Sequence, residues 1–107
     1  MSGGSGSSSG GGFGGDSGLD CAAINFDAFL SSVDPTVAGD VEVGEVLPIE
    51  LHSDPRALVV VLPDGRVLGA ITRKVRELLR CIQQQVQFRA TVKNITGGDI
   101  EVHIEPV

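Results

Sequence analysis

The sequence predicts an α+β domain: a small, curved antiparallel β-sheet or β-barrel closed by one amphipathic helix. Three observations lead there. Residues 57–62 form a continuous apolar run of strand length, and Pro63-Asp64-Gly65 turns the chain straight into a second apolar run over residues 66–71. Val75, Leu78, Leu79, Ile82 and Val86 then recur at the spacing of one helix face. Finally, Phe88, Ala90 and Val92 alternate with polar residues, as do Ile100, Val102 and Ile104, with Gly97-Gly98 between the two segments. With 107 residues, one domain is the ceiling.

Residues 1–18 are almost entirely Gly and Ser, broken by Phe13 and Asp16, and have nothing apolar to offset the entropy of ordering them. They are predicted to be a flexible tail, native or an engineered linker. The folded domain is predicted to span residues 19–107. Residues 19–30, with Ile24, Phe26 and Phe29, read either as a short strand and turn or as an irregular helix. Val33-Asp34-Pro35 and Ala38-Gly39-Asp40 read as loops, because Pro disfavours helix in its predecessor and Gly tolerates positive φ. A strand is predicted over residues 41–51, with Leu47, Ile49 and Leu51 facing inward. Gly44 and Pro48 inside it suggest a bulge or an edge, since Pro cannot donate to a ladder. The run 57–62 is predicted to be the central strand, buried on both faces. Thr72 is the expected N-cap of a helix over residues 73–85.

Cys21 and Cys81 are too few for a disulfide framework and lie far apart in the chain, so a disulfide between them is open to the sequence but not indicated by it. Cys81, beside Leu78 and Ile82, reads as a free thiol acting as a small buried hydrophobe. His52 and His103 are isolated, and His103 is expected to point to solvent. Neither pair has the short spacing of a zinc site, so no metal or other cofactor is predicted. No Ser/His/Asp, Cys/His or paired-carboxylate arrangement is legible, and Gly97-Gly98-Asp99 reads as a turn rather than a phosphate loop. The expected function is binding, not catalysis.

Charge is the most distinctive pattern. From Leu19 to Asp54 every charged residue is acidic: Asp20, Asp27, Asp34, Asp40, Glu42, Glu45, Glu50 and Asp54. From Arg56 to Lys93 the balance reverses, with only Asp64 and Glu77 against Arg56, Arg66, Arg73, Lys74, Arg76, Arg80, Arg89 and Lys93. The net charge of −6 therefore hides a dipolar chain. Arg73, Lys74 and Arg76 fall at the start of the predicted helix, where the macrodipole already disfavours cations by about 0.3–1 kcal/mol each. A docked phosphate or carboxylate would offset that cost.

Residues 43–106 also resemble a HIRAN domain, a small β-barrel module. The matching stretches are Asp54-Pro55-Arg56-Ala57-Leu58 and Gly65-Arg66-Val67-Leu68-Gly69-Ala70-Ile71-Thr72-Arg73, followed in register by the helix and the Phe88-x-Ala90-x-Val92 strand. The resemblance implies a module that grips a single-stranded DNA end, with Asp54 and Arg73 at matching positions. It also implies aromatic side chains that stack on bases, yet Ser53 and Ala70 stand where those aromatics belong. Losing both forfeits about 1–3 kcal/mol per stacked base. The candidate ligand-binding residues are thus Arg73, Lys74, Arg76, Arg56 and Asp54. The expected partners are a single-stranded nucleic-acid end or an acidic protein surface, including another copy of the chain docked head to tail in a homo-oligomer. No segment has the apolar length of a membrane span, and the start of the chain lacks the basic and apolar regions of a signal peptide, so a soluble cytoplasmic protein is expected.

Overall fold

A computed structural model describes residues 20–53 and 56–107; the predicted tail and Asp54 lie outside the described residues. Its elements are a 3₁₀ turn at Cys21–Ala23, β1 (Phe26–Phe29), α1 (Pro35–Ala38), β2 (Val46–His52), β3 (Ala57–Val61), β4 (Val67–Ile71), α2 (Val75–Gln83), β5 (Phe88–Thr96) and β6 (Asp99–Pro106). The strands form one antiparallel sheet in the order β1-β6-β5-β2-β3-β4.

The sheet curls without closing into a barrel. Its two edge strands approach each other only where the chain leaves β1: Ser31 and Ala70 exchange both backbone hydrogen bonds at 2.8 Å, and Asp34 N–H donates to Leu68 O at 3.0 Å. Irregular registers at Val60/Val61 and Val92/Asn94 supply the local twist that such curvature needs. Gly69 sits under the crossing segment, and a Cβ there would stand 3.1 Å from both Leu30 Cβ and Ser31 O. Gly69→Val is accordingly expected to cost about 1–3 kcal/mol by forcing the two edges apart, read as a lowered melting temperature.

The hairpins follow from their turns. Gly65 takes φ +94° after Leu62, whose carbonyl accepts from Gly65 N–H at 2.8 Å, and Gly97 takes φ +60° in the β5–β6 turn. Leu47, Leu58, Val60, Leu68, Ile100, Val102 and Ile104 are almost wholly enclosed in the core, where Leu78 and Cys81 of α2 join them. Val59 and Val61, outside that cluster, are buried too, so β3 is covered on both faces as its unbroken apolar run predicts.

Several expectations need correction. The run 57–62 is not the central strand: β3 lies second from an edge, and β5 and β2 occupy the middle. The strand predicted from residue 41 begins only at Val46, because Gly44 at φ +99° breaks the extended chain. Within it Leu47 is buried and Ile49 half-buried, but Leu51 is 38% exposed, since β2 pairs with β5 only through Val46, Leu47 and Pro48 and then leaves it. The loop predicted at Asp34-Pro35 is the start of α1, a single helical turn. The Asp34 carboxylate accepts from Thr36 N–H at 2.9 Å, and Pro35 occupies the first turn, where a missing N–H costs nothing.

The cysteines are not free: Cys21 and Cys81 form a disulfide. Pairing of β1 with β6 carries the preceding 3₁₀ turn alongside α2 and brings the two Cα atoms to 5.7 Å, inside the range a disulfide spans. Sequence separation hides this proximity, which arises only when the sheet assembles. No helix among the described residues is long and apolar enough to cross a membrane.

Candidate functional site

Strand direction gives the sheet two ends. The pairing of Leu58 with Ile71 puts positions 56 and 73 beyond the same end of the β3–β4 ladder, and α2 continues from there. Phe26 of β1 pairs with Ile104 at this end as well. Arg56, Arg73, Lys74 and Arg76 therefore lie toward one end of the sheet.

Their local geometry differs from the expected cap. Thr72 does not cap α2; its hydroxyl lies 3.4 Å from Ser31 Oγ, across the junction of the sheet edges. The N-cap position belongs to Lys74, which adopts the left-handed conformation at φ 56° and ψ 33° and makes no side-chain capping bond. Leu78 N–H is bonded to Lys74 O at 3.1 Å, so the amides of residues 75–77 lie ahead of the intrahelical ladder. A left-handed non-glycine residue costs about 1–2 kcal/mol, and such strain tends to gather at binding sites.

The four cations are not equivalent. Arg73 is committed to the sheet: its Nη1 donates to Asp27 O at 2.9 Å, capping a carbonyl of edge strand β1. Its guanidinium carbon stands 5.8 Å from the centroid of the Phe26 ring, and Lys74 Nζ stands 5.3 Å from the same centroid. Phe26 is not legible in sequence as part of this site; only its alternation with Ile24 and Ala28 marks it there, and that pattern signals the core. It is 8% exposed, so the two cations cover it and no flat ring is offered to a base. Arg56 and Arg76 are exposed and have no ion pair among the described residues. Beyond Arg76, an open groove of about 460 Å³ runs along α2, lined by Arg76, Glu77, Leu79, Arg80 and Gln83.

Arg66, Arg89 and Lys93 are engaged with acids of the same domain. Arg66 bonds Asp40 at 2.9 Å and Asp64 at 2.8 Å, and Arg89 meets Glu105 at 3.1 Å. Lys93 Nζ lies 2.9 Å from Asp27 Oδ2. His103, expected to face water, is partly covered and donates from Nδ1 to Asp27 Oδ1 at 2.7 Å, because its cross-strand partner on β1 is Asp27. Much of the dipole seen in sequence is thus neutralised internally, while Arg56 and Arg76 have no ion pair among the described residues and Lys74 faces only the Phe26 ring among the described contacts.

Lys93 and then His103 hold the Asp27 carboxyl below its ordinary 3.8, through hydrogen bonds to the ionised form. A lowered pKa stabilises the fold above the ordinary value, and that contribution is lost as pH falls through the lowered one. The melting-temperature advantage of the wild type over Asp27→Asn is therefore expected to hold at about pH 5 and to vanish toward about pH 2. Thermal melts across that window check it, and an advantage independent of pH refutes the assignment.

Comparison with protein-family models, with curated proteins and with solved structures finds no match.

Proposed function

We propose that this domain is a non-catalytic binding module that docks an anionic group, a phosphate or the phosphate-bearing end of a single-stranded nucleic acid, at the basic start of α2. The observation that carries this reading is the uncapped helix start, with Lys74 in a left-handed conformation and with Arg56 and Arg76 outside any ion pair among the described residues at the same end. Helix amides ahead of the first intrahelical bond, joined by two guanidinium groups, are a ready anion cradle. The HIRAN resemblance agrees with it, although Gly65 and Gly69 of the matching stretch have structural reasons of their own, a positive φ and a close backbone approach. With Ser53 and Ala70 in the aromatic positions and Phe26 covered, docking here rests on charge rather than on base stacking.

Fluorescence polarisation with a labelled single-stranded DNA tests it. Binding that weakens steeply as salt rises is expected, and a flat signal at every salt concentration overturns the reading.

A second reading, head-to-tail self-assembly, is favoured by one observation. Strand order brings Asp34, Asp40, Glu42, Glu45, Asp64 and Asp99 toward the end opposite α2, with Arg66 as their basic neighbour. Light scattering at low and high salt distinguishes the two: a large species that dissociates with salt supports assembly, and a monomer throughout leaves anion docking. The Cys21–Cys81 bond favours an oxidising setting over the cytoplasm expected from sequence, because cytosolic thiol systems keep such bonds reduced.

A further inference from the structure

The two sulfurs of the Cys21–Cys81 bond have unequal surroundings. Cys81 is fully enclosed beside Leu78 in the core, whereas Cys21 is partly exposed in a 3₁₀ turn that contributes no buried residue. Thiol–disulfide exchange needs access of a thiolate to one sulfur, and of the two it is Cys21 that solvent reaches.

The turn is also lightly held. Among the described residues its hydrogen bonds close on itself: Ala22 N–H to Asp20 Oδ1 at 3.1 Å, Ala23 N–H to Asp20 O at 3.1 Å, and Ile24 N–H to Cys21 O at 3.3 Å. The β1–β6 ladder begins only at Phe26, so no strand pairing fastens the turn to the sheet. Apart from the disulfide, what holds it among the described residues is the packing of Cys21 and Ile24 on the core and the contact of the turn with α2 and β6. The five strand ladders do not involve it.

We propose that Cys21–Cys81 is a thiol-exchange site that latches the segment preceding β1 onto α2, and that its reduction opens this segment while the sheet stays folded. The reductant is a small monothiol of the glutathione class. Its thiolate attacks Cys21 Sγ, a new S–S bond forms there, the Cys21–Cys81 bond breaks, and Cys81 leaves with the electron pair and takes up a proton. A second reductant thiol attacks the mixed disulfide at the reductant's sulfur, releasing Cys21 as a thiol and departing as the oxidised reductant. Two thiols have then supplied two electrons and two protons to the protein. Cys81 is enclosed beside Leu78 and packs as a small hydrophobe, so the core keeps its filling when the bond opens. The turn loses its covalent tie.

The test uses the full chain purified without reductant and exposed to a graded glutathione series under native conditions. Peptide mapping is expected to find the glutathione adduct on Cys21 and none on Cys81. Hydrogen exchange is expected to rise about tenfold or more at residues 21–25 while the β5–β6 hairpin keeps its protection. An adduct on Cys81, free thiols in the untreated protein, or reduction that proceeds only together with loss of protection in β5–β6 each overturns the proposal; the last would make the bond a staple of the whole fold. Cys81→Ala should show the loosened turn without any reductant, and a Cys81→Ala protein that fails to fold, or whose turn stays protected, also counts against the latch.

Discussion

Val60→Asp is expected to abolish soluble folding. Val60 has no solvent exposure and lies on β3 between Ile49 of β2 and Gly69 of β4, so the strand is paired on both sides and cannot rotate the new carboxylate outward. A carboxylate there meets only apolar neighbours of the core, and leaving it unpaired costs several kcal/mol or forces it to protonate. A domain of this size holds about 5–15 kcal/mol in total, so the loss approaches the whole. Leu51→Asp is the matched control: Leu51 is 38% exposed beyond the point where β2 leaves β5, and its substitution should leave soluble, folded protein. Soluble yield and circular dichroism of the two variants decide it, and a folded Val60→Asp protein would mean that β3 is misplaced in the sheet.

The contrast between Val60 and Leu51 also marks what can be read from sequence. Residues 57–62 announce a buried strand because nothing polar interrupts them, and the Pro63-Asp64-Gly65 and Gly97-Gly98 turns dictate which strands pair, since local chemistry determines a hairpin. The exposure of Leu51 escapes such reasoning because alternation predicts a face but not where a neighbouring strand stops covering it. Asp34-Pro35 carries a helix-breaking signal for the residue before Pro, yet Asp before Pro is equally a helix-start signature, and the second meaning prevails. The disulfide and the His103–Asp27 hydrogen bond are not indicated by spacing: the second joins cross-strand partners of the β1–β6 pairing and the first joins the turn before β1 to α2, both long-range events. At the candidate site the sequence marks Arg73, Lys74 and Arg76 equally. Only the folded chain separates Arg73, bonded to Asp27 O, from Arg76, which has no ion pair among the described residues.

That separation dictates how the site should be tested, and Arg56→Glu combined with Arg76→Glu is expected to remove anion docking without harming the fold. Substituting Arg73 would confound the two, because its guanidinium caps the edge of β1 and covers Phe26. Arg56 and Arg76 are exposed and belong to no ion pair among the described residues, so their reversal is expected to leave the core packing alone. Glutamate in the first turn of α2 also suits the helix macrodipole, adding about 0.3–1 kcal/mol where arginine opposed it. Binding moves the other way. Each charge-assisted hydrogen bond to the ligand is worth about 1.5–3 kcal/mol, so removing two should weaken a phosphate ligand by about a hundredfold or more. For single-stranded DNA the dependence of log K on log salt should flatten by about 1.4. Lys74→Gly supplies the complementary arm: it releases the left-handed strain at φ 56° and should raise the melting temperature, while removing a charge from the same cradle should lower affinity. A double reversal that binds DNA as the wild type does, at equal salt, would reduce the cluster to a solvated face; one that lost its fold together with its binding would show that Arg56 or Arg76 supports the domain itself.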